Sequence, residues 1–116
     1  MNPKRLEKRL QGKVTTIYRI QNKEHLGPYR NIDICYGLLD SHNKALGRKS
    51  HPTPFEDIGK HPTQTEKCGF LSMHYLLRWF TPEQIQELEK HGYHIVPVKG
   101  IVTGVGNHQI LFEEVA

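Results

Sequence analysis

Eight histidines in 116 residues make metal binding the first chemistry to weigh. Zinc takes three or four nitrogen or sulfur ligands in a tetrahedral array. His51, His61 and Cys68 are candidates to converge, with His42 or Asp57 as a fourth ligand. Their spacing matches no Cys-x-x-Cys or His-x-x-x-His hook, so they read as scattered loop histidines and no metal is assigned. His91 falls near a helix end, where a cation suits the helix dipole. Nucleophilic catalysis would need a serine or cysteine within reach of a histidine. Ser72 is followed by His74, but no G-x-S-x-G elbow surrounds it, and a helix cap is the simpler role. The stretch G-I-V-T-G-V-G lacks the Lys-Ser/Thr ending of a phosphate loop and reads as hairpin. Arg19 lies near the end of a β-branched run on the face of Ile17, with Tyr18 and Ile20 on the other face. It reads either as an edge or ion-pairing residue, or as an anion binder held on rigid scaffold.

The bulk properties exclude several classes. The net charge is +4, with a basic patch of Lys4, Arg5, Lys8 and Arg9 near the start. That patch reads as a solvated helix face or as a contact for nucleic acid. No helix-turn-helix or zinc-finger pattern accompanies it. Nothing approaches a run of eighteen apolar residues, and M-N-P-K-R-L-E-K-R-L has no apolar core of a signal peptide. Cys35 and Cys68 are expected as reduced thiols, which fits the cytoplasm.

The elements that would position these groups give an α+β fold: a small antiparallel sheet, two consecutive central helices packed on it, and a long polar loop. The expectation is a single domain, with a basic helix over 1–12, a loop over 40–67, a helix pair over 72–91 and antiparallel strands over 93–115. The helix pair is the firmest part. Ser72 caps a short helix carrying Met73, Leu76, Leu77 and Phe80 at helical spacing. Thr81, Pro82 and Gln84 open the second with a capping box, and Gly92 stops it. Trp79 falls off the apolar stripe, either exposed or closing the far side of the core. Leu6 and Leu10 give the first helix a thin stripe that docks weakly. Residues 14–20 read as a strand, and 32–39 favours a second, with Gly37 leaving a helical turn open as the alternative. The stretches 93–98, 101–105 and 109–115, with a turn at Lys99-Gly100, predict a three-strand meander.

Y-R at 18–19, G-P-Y-R at 27–30, H-P-x-P-x-x-D at 51–57, G-F-L-S at 69–72, W-F-T at 79–81 and Q-I-L-F at 109–112 together resemble small phage and prophage proteins. The resemblance spans about Thr16 to Glu113 and implies a protein active in an infected bacterial cytoplasm, without implying a reaction. A weaker resemblance is to ADP-ribosyltransferase folds of the arginine–serine–glutamate type, carried by the chain order Arg19, Ser72 and Gln109 or Glu113. It implies NAD as cofactor, with Arg19 on the pyrophosphate, Ser72 on the nicotinamide ribose, and Tyr29 or Phe70 stacked on the nicotinamide ring. The S-T-S triplet is L-S-M here, the E-x-E pair is absent, and Gln109 carries no charge. The leading expectation is therefore an accessory protein that binds a host protein or a nucleotide and needs no cofactor. Its ligand-binding candidates are Tyr29, Arg30, His51, Asp57 and Phe70. Whether it is an enzyme stays open, with Arg19, Ser72 and Gln109 as the catalytic candidates of the NAD-dependent alternative. A nucleic-acid-binding protein using the basic patch is the third reading.

Overall fold

Asn2 opens the first helix, α1 (Pro3–Leu10), by accepting the Lys4 N–H, and Pro3 takes a position where no N–H is needed. The computed structural model describes residues 2–28 and 51–115. Leu6 and Leu10 pack against a cluster of Ile17, Val102, Val105, Ile110 and Phe112. Glu7 adds a second anchor, accepting the Val105 N–H at 3.0 Å. The helix expected to dock weakly is thus pinned by a carboxylate as well as by two leucines.

Four strands follow: β1 (Val14–Gln21), β2 (Glu66–Gly69), β3 (His94–Val105) and β4 (Ile110–Glu114). They pair antiparallel in the order β1-β3-β4-β2. The sheet curls until its outer strands meet. Just past β2, Phe70 exchanges both backbone hydrogen bonds with Tyr18 of β1, each 2.8 Å long. Glycines permit the curl. A Cβ on Gly100 would lie 2.5 Å from the Phe112 ring, and one on Gly69 would lie 2.5 Å from Ile17. An irregularity in β3 between Val102 and Gly104 adds to the bend. Ile17 and Phe112 meet between the strands, both fully buried.

Two strands, not three, make the C-terminal part. β3 runs straight through Lys99 and Gly100, so the expected turn is absent. Gly100 serves close approach to Phe112 rather than a reversal of the chain. Pro97 is tolerated inside β3 for a related reason. Its partner Tyr18 turns both backbone groups toward Phe70, so no ladder bond is asked of the Pro97 nitrogen on that side.

Between β2 and β3 come α3 (Met73–Trp79) and α4 (Pro82–Lys90). Ser72 caps α3 by accepting the Tyr75 N–H, and Thr81 with Gln84 closes a capping box on α4. Gly92, at φ 86°, lets the chain leave α4 in the left-handed region. Leu76, Trp79, Phe80 and Leu88 cover the sheet, packing with Ile20, Phe70 and Tyr93. Here the expected stripe needs correction. Leu77 is 49% exposed, and Trp79 at 8% takes the buried position. The predicted loop also carries regular structure: it contains α2 (Pro54–Ile58), capped by Thr53 and Glu56, and the start of β2. The expected strand over 32–39, Cys35, and residues 40–50 of that loop lie outside the described residues.

Glu66 at the head of β2 holds this segment down. Its side chain is almost wholly buried, and it accepts from Lys60 Nζ at 2.6 Å, from the Thr63 N–H at 2.9 Å and from the Thr103 hydroxyl. Burial alone would raise its pKa. The bonds from Lys60, Thr103 and Thr63 outweigh that and bring it from 4.5 down to about 2. Because the folded value is depressed, the stabilisation is complete above the ordinary carboxylate pKa and is lost as pH falls from 4.5 toward 2. Glu66→Gln is expected to lower stability by about 2 kcal/mol at neutral pH and to flatten this acid limb. Urea unfolding across the acid range reads both effects, and an unchanged acid limb in the variant would assign it to other carboxylates.

Candidate functional site

Asp57 ends the last turn of α2, and its carboxylate is only 2% exposed. It points into the turn that joins β3 to β4. There it accepts three consecutive backbone N–H groups, from Asn107 at 2.7 Å, His108 at 3.1 Å and Gln109 at 3.0 Å. The His108 Nδ1 lies 3.4 Å from the same carboxylate. Gly106 makes room for it, since a Cβ there would sit 2.3 Å from the carboxylate atoms. The turn that follows the glycine-rich stretch thus forms an anion nest, and a side chain of the same protein fills it.

A second bond runs beside this latch. Gln109, 5% exposed, donates from Nε2 to the Pro52 carbonyl at 2.8 Å. One residue earlier, His51 Nε2 lies 2.7 Å from the Trp79 carbonyl, so that nitrogen carries the proton. The His51 ring also meets the Trp79 ring edge-on, with centroids 4.8 Å apart. The motif H-P-T-P-F-E-D is therefore a strap, fastened by His51 to the end of α3 and by Pro52 and Asp57 to the β3–β4 turn.

Between strap and sheet lies a cavity of about 290 Å³. Trp79, Phe70 and Phe80 supply much of its apolar wall, and its polar groups include Arg19, Gln109, His51 and Thr53. Arg19 lies on an outer strand of the sheet, yet it is not at the surface. It is 7% exposed, with its guanidinium carbon 5.9 Å from the Phe112 ring centroid. Gly27 lines the same cavity, and a Cβ on it would come within 3.1 Å of the Arg19 guanidinium.

Of the residues singled out from the sequence, this cavity gathers Arg19, His51, Phe70 and Gln109. Asp57 sits behind it as the latch. Ser72 is not among the lining residues, and its hydroxyl oxygen is engaged as the α3 cap. Arg19, Ser72 and Gln109 are thus not assembled as the transferase resemblance implies. Tyr29 and Arg30 lie outside the described residues. Lys4, Arg5, Lys8 and Arg9 are all exposed on α1. Among the described residues, no three His, Cys, Asp or Glu side chains are grouped to hold a metal. His61 instead stacks on Phe55, centroids 4.5 Å apart. No described helix is long and apolar enough to cross a membrane. Trp79, Cys68 and Pro52 also line the cavity, and sequence reasoning did not place them there. The aromatic W-F pair next to a capped helix was the available signal.

Asp57→Asn places an amide NH₂ where an acceptor oxygen faced backbone donors. The expected loss is about 3 kcal/mol of stability, read as a lower urea midpoint. An unchanged midpoint would mean that the carboxylate does not hold the turn.

No curated protein and no solved structure matches the chain. The phage-type pattern that runs from the Tyr18-Arg19 pair to the Q-I-L-F of β4 falls within a single family match. The chain belongs to the family described as Bacteriophage T4 Y00F protein, whose profile matches residues 8–116.

Proposed function

We propose that this phage-family protein is a binding protein that captures a small planar ligand of nucleotide type in the cavity beside Arg19, and so modulates the host that supplies it. One observation carries the reading: a buried guanidinium and a buried amide converge on an otherwise largely apolar, aromatic-walled cavity of about 290 Å³. Ligand sites are commonly concave and apolar, with a few placed polar groups that set orientation. Trp79 and Phe70 offer faces or edges for a ring. The forked donors of Arg19 suit a carbonyl or anionic oxygen on its rim. Gln109 keeps its side-chain oxygen as an acceptor while its Nε2 holds Pro52.

The NAD-dependent transferase reading has less support. It needs a serine hydroxyl beside Arg19, and Ser72 is engaged elsewhere as a helix cap. Nucleic-acid binding rests on the exposed basic face of α1 alone.

Trp79 is the only tryptophan of the chain and lines the cavity, so its fluorescence reports occupancy. The test titrates nucleoside mono-, di- and triphosphates and NAD, following tryptophan emission and the heat of binding. Saturable quenching by one class is expected. Arg19→Lys, which keeps the charge and loses the fork, is expected to weaken it about tenfold, roughly the worth of one charge-assisted hydrogen bond. Absence of saturable binding by both readouts in folded protein would end this reading. Release of nicotinamide from NAD would replace it with the transferase.

A further inference from the structure

A second cavity, of about 260 Å³, shares Phe70 and Gln109 with the first and opens among α1, α3 and the β3–β4 turn. Its polar side chains include Tyr75 and Arg78 from α3 and Asn107 and His108 from the turn. The same four residues also line an adjoining recess of about 70 Å³, so they converge on one point. Tyr75 and Arg78 are three apart and share a helix face.

The charge balance of this cleft is one-sided. None of its described lining residues is acidic. Two described carboxylates adjoin it, and both are engaged: Asp57 is buried and faces the three N–H groups of its nest, and Glu7 accepts the Val105 N–H. Arg78 is exposed and forms no ion pair with a described residue. Asp57 also draws the Nδ1 side of His108 toward itself, which leaves Nε2 as the nitrogen available to a ligand. That nitrogen accepts an O–H when neutral and donates to an anionic oxygen when protonated. A phosphate monoester, whose second ionisation lies near pH 6, offers both partners. A sulfate offers only the second.

We propose that the cleft formed by Tyr75, Arg78, Asn107 and His108 binds a phosphate monoester group, with Arg78 forked on two phosphate oxygens and His108 Nε2 on a third. Tyr75 stands at the rim, 41% exposed, as a hydroxyl donor and an apolar surface for the rest of the ligand. Asp57 acts through His108 as a positioning residue. The site is separate from the cavity beside Arg19.

The experiment titrates the full chain with a nucleoside 5′-monophosphate, with inorganic phosphate and with sulfate. Backbone amides of residues 107–109 and the His108 ring are followed by NMR, with calorimetry in parallel. Saturable shifts at those amides are expected from the monoester, with sulfate at least tenfold weaker. Equal affinity for inorganic phosphate would identify free phosphate as the source, with the same chemistry. Arg78→Glu, on an exposed helix position, is expected to abolish binding, and Lys23→Ala to leave it unchanged. His108→Asn keeps the backbone N–H that Asp57 holds, and is expected to erase the preference over sulfate. Arg19→Lys is expected to have no effect, which separates this site from the other cavity. Unaltered binding in Arg78→Glu, equal binding of sulfate, or no saturable shift with either phosphate ligand would overturn the proposal.

Discussion

A carboxylate set among three backbone amides is the constraint on which this molecule turns. Asp57 brings the N–H groups of Asn107, His108 and Gln109 to one buried point. A buried carboxylate without donors is costly, and so is the buried Gln109 amide without an acceptor, so the carboxylate depends on this turn and the turn gains from the carboxylate. The consequence is long-range order. Asp57 and the turn are fifty residues apart in sequence, and closing that loop fixes α2, Pro52 and His51 against the sheet. Both cavities take part of their walls from this closure: Gln109 lines each, His108 lines the polar one, and Pro52 lines the apolar one. Without the latch neither cavity keeps its shape, although most of the strands could still pair.

The curled sheet is the second constraint, and it explains why Arg19 is inside. An open, flat four-stranded sheet would leave the β1 edge to solvent. Here Tyr18 pairs with Phe70 across the gap, and the β1 residues on the Ile17 face turn into the space between the strands. Glycine at 69 and 100 is what allows that space to close around Phe112 and Ile17. Burying a guanidinium there demands compensation, and contact with the Phe112 ring supplies part of it. Polar residues at β1 positions 19 and 21 therefore belong to the fold as much as to any ligand.

Much of the architecture was legible in the sequence because local chemistry decided it. Ser72, Thr81, Pro82, Gln84 and Gly92 act through neighbours within four residues, and the caps they form are the ones their types imply. The same signal stands at Thr53-Pro54-Phe55-Glu56, yet histidines and prolines around it read as loop, and α2 went unseen. Gly100 misled for the opposite reason. A glycine beside a lysine marks a turn by composition, and only the Phe112 ring on a distant strand shows that it marks a close approach. Leu77 faces outward and Trp79 inward because Trp79 packs with Phe70 and the core, a partner that the stripe of leucines does not specify. For the site, the type of residue was visible and its company was not. Arg19, His51, Phe70 and Gln109 stood out singly, while the Asp57 nest that brings their segments together rests on backbone donors, which carry no sequence signature.

The division of roles among these residues bears on the binding reading proposed above. A catalytic serine, acid or base must keep an atom available to the reacting bond. Ser72 gives its oxygen to the Tyr75 N–H, and Asp57 shares its two oxygens among three amides and an imidazole. Glu66 is held by Lys60, Thr63 and Thr103. The polar groups that line the two cavities include Arg78, Tyr75, Asn107, His108 and Gln109, with Arg19, His51, Thr53 and Cys68 in the apolar one. Such a set suits an anionic ligand of the kind proposed above. A surface built this way gains affinity from being rigid before the ligand arrives, and rigidity is what the Asp57 latch confers.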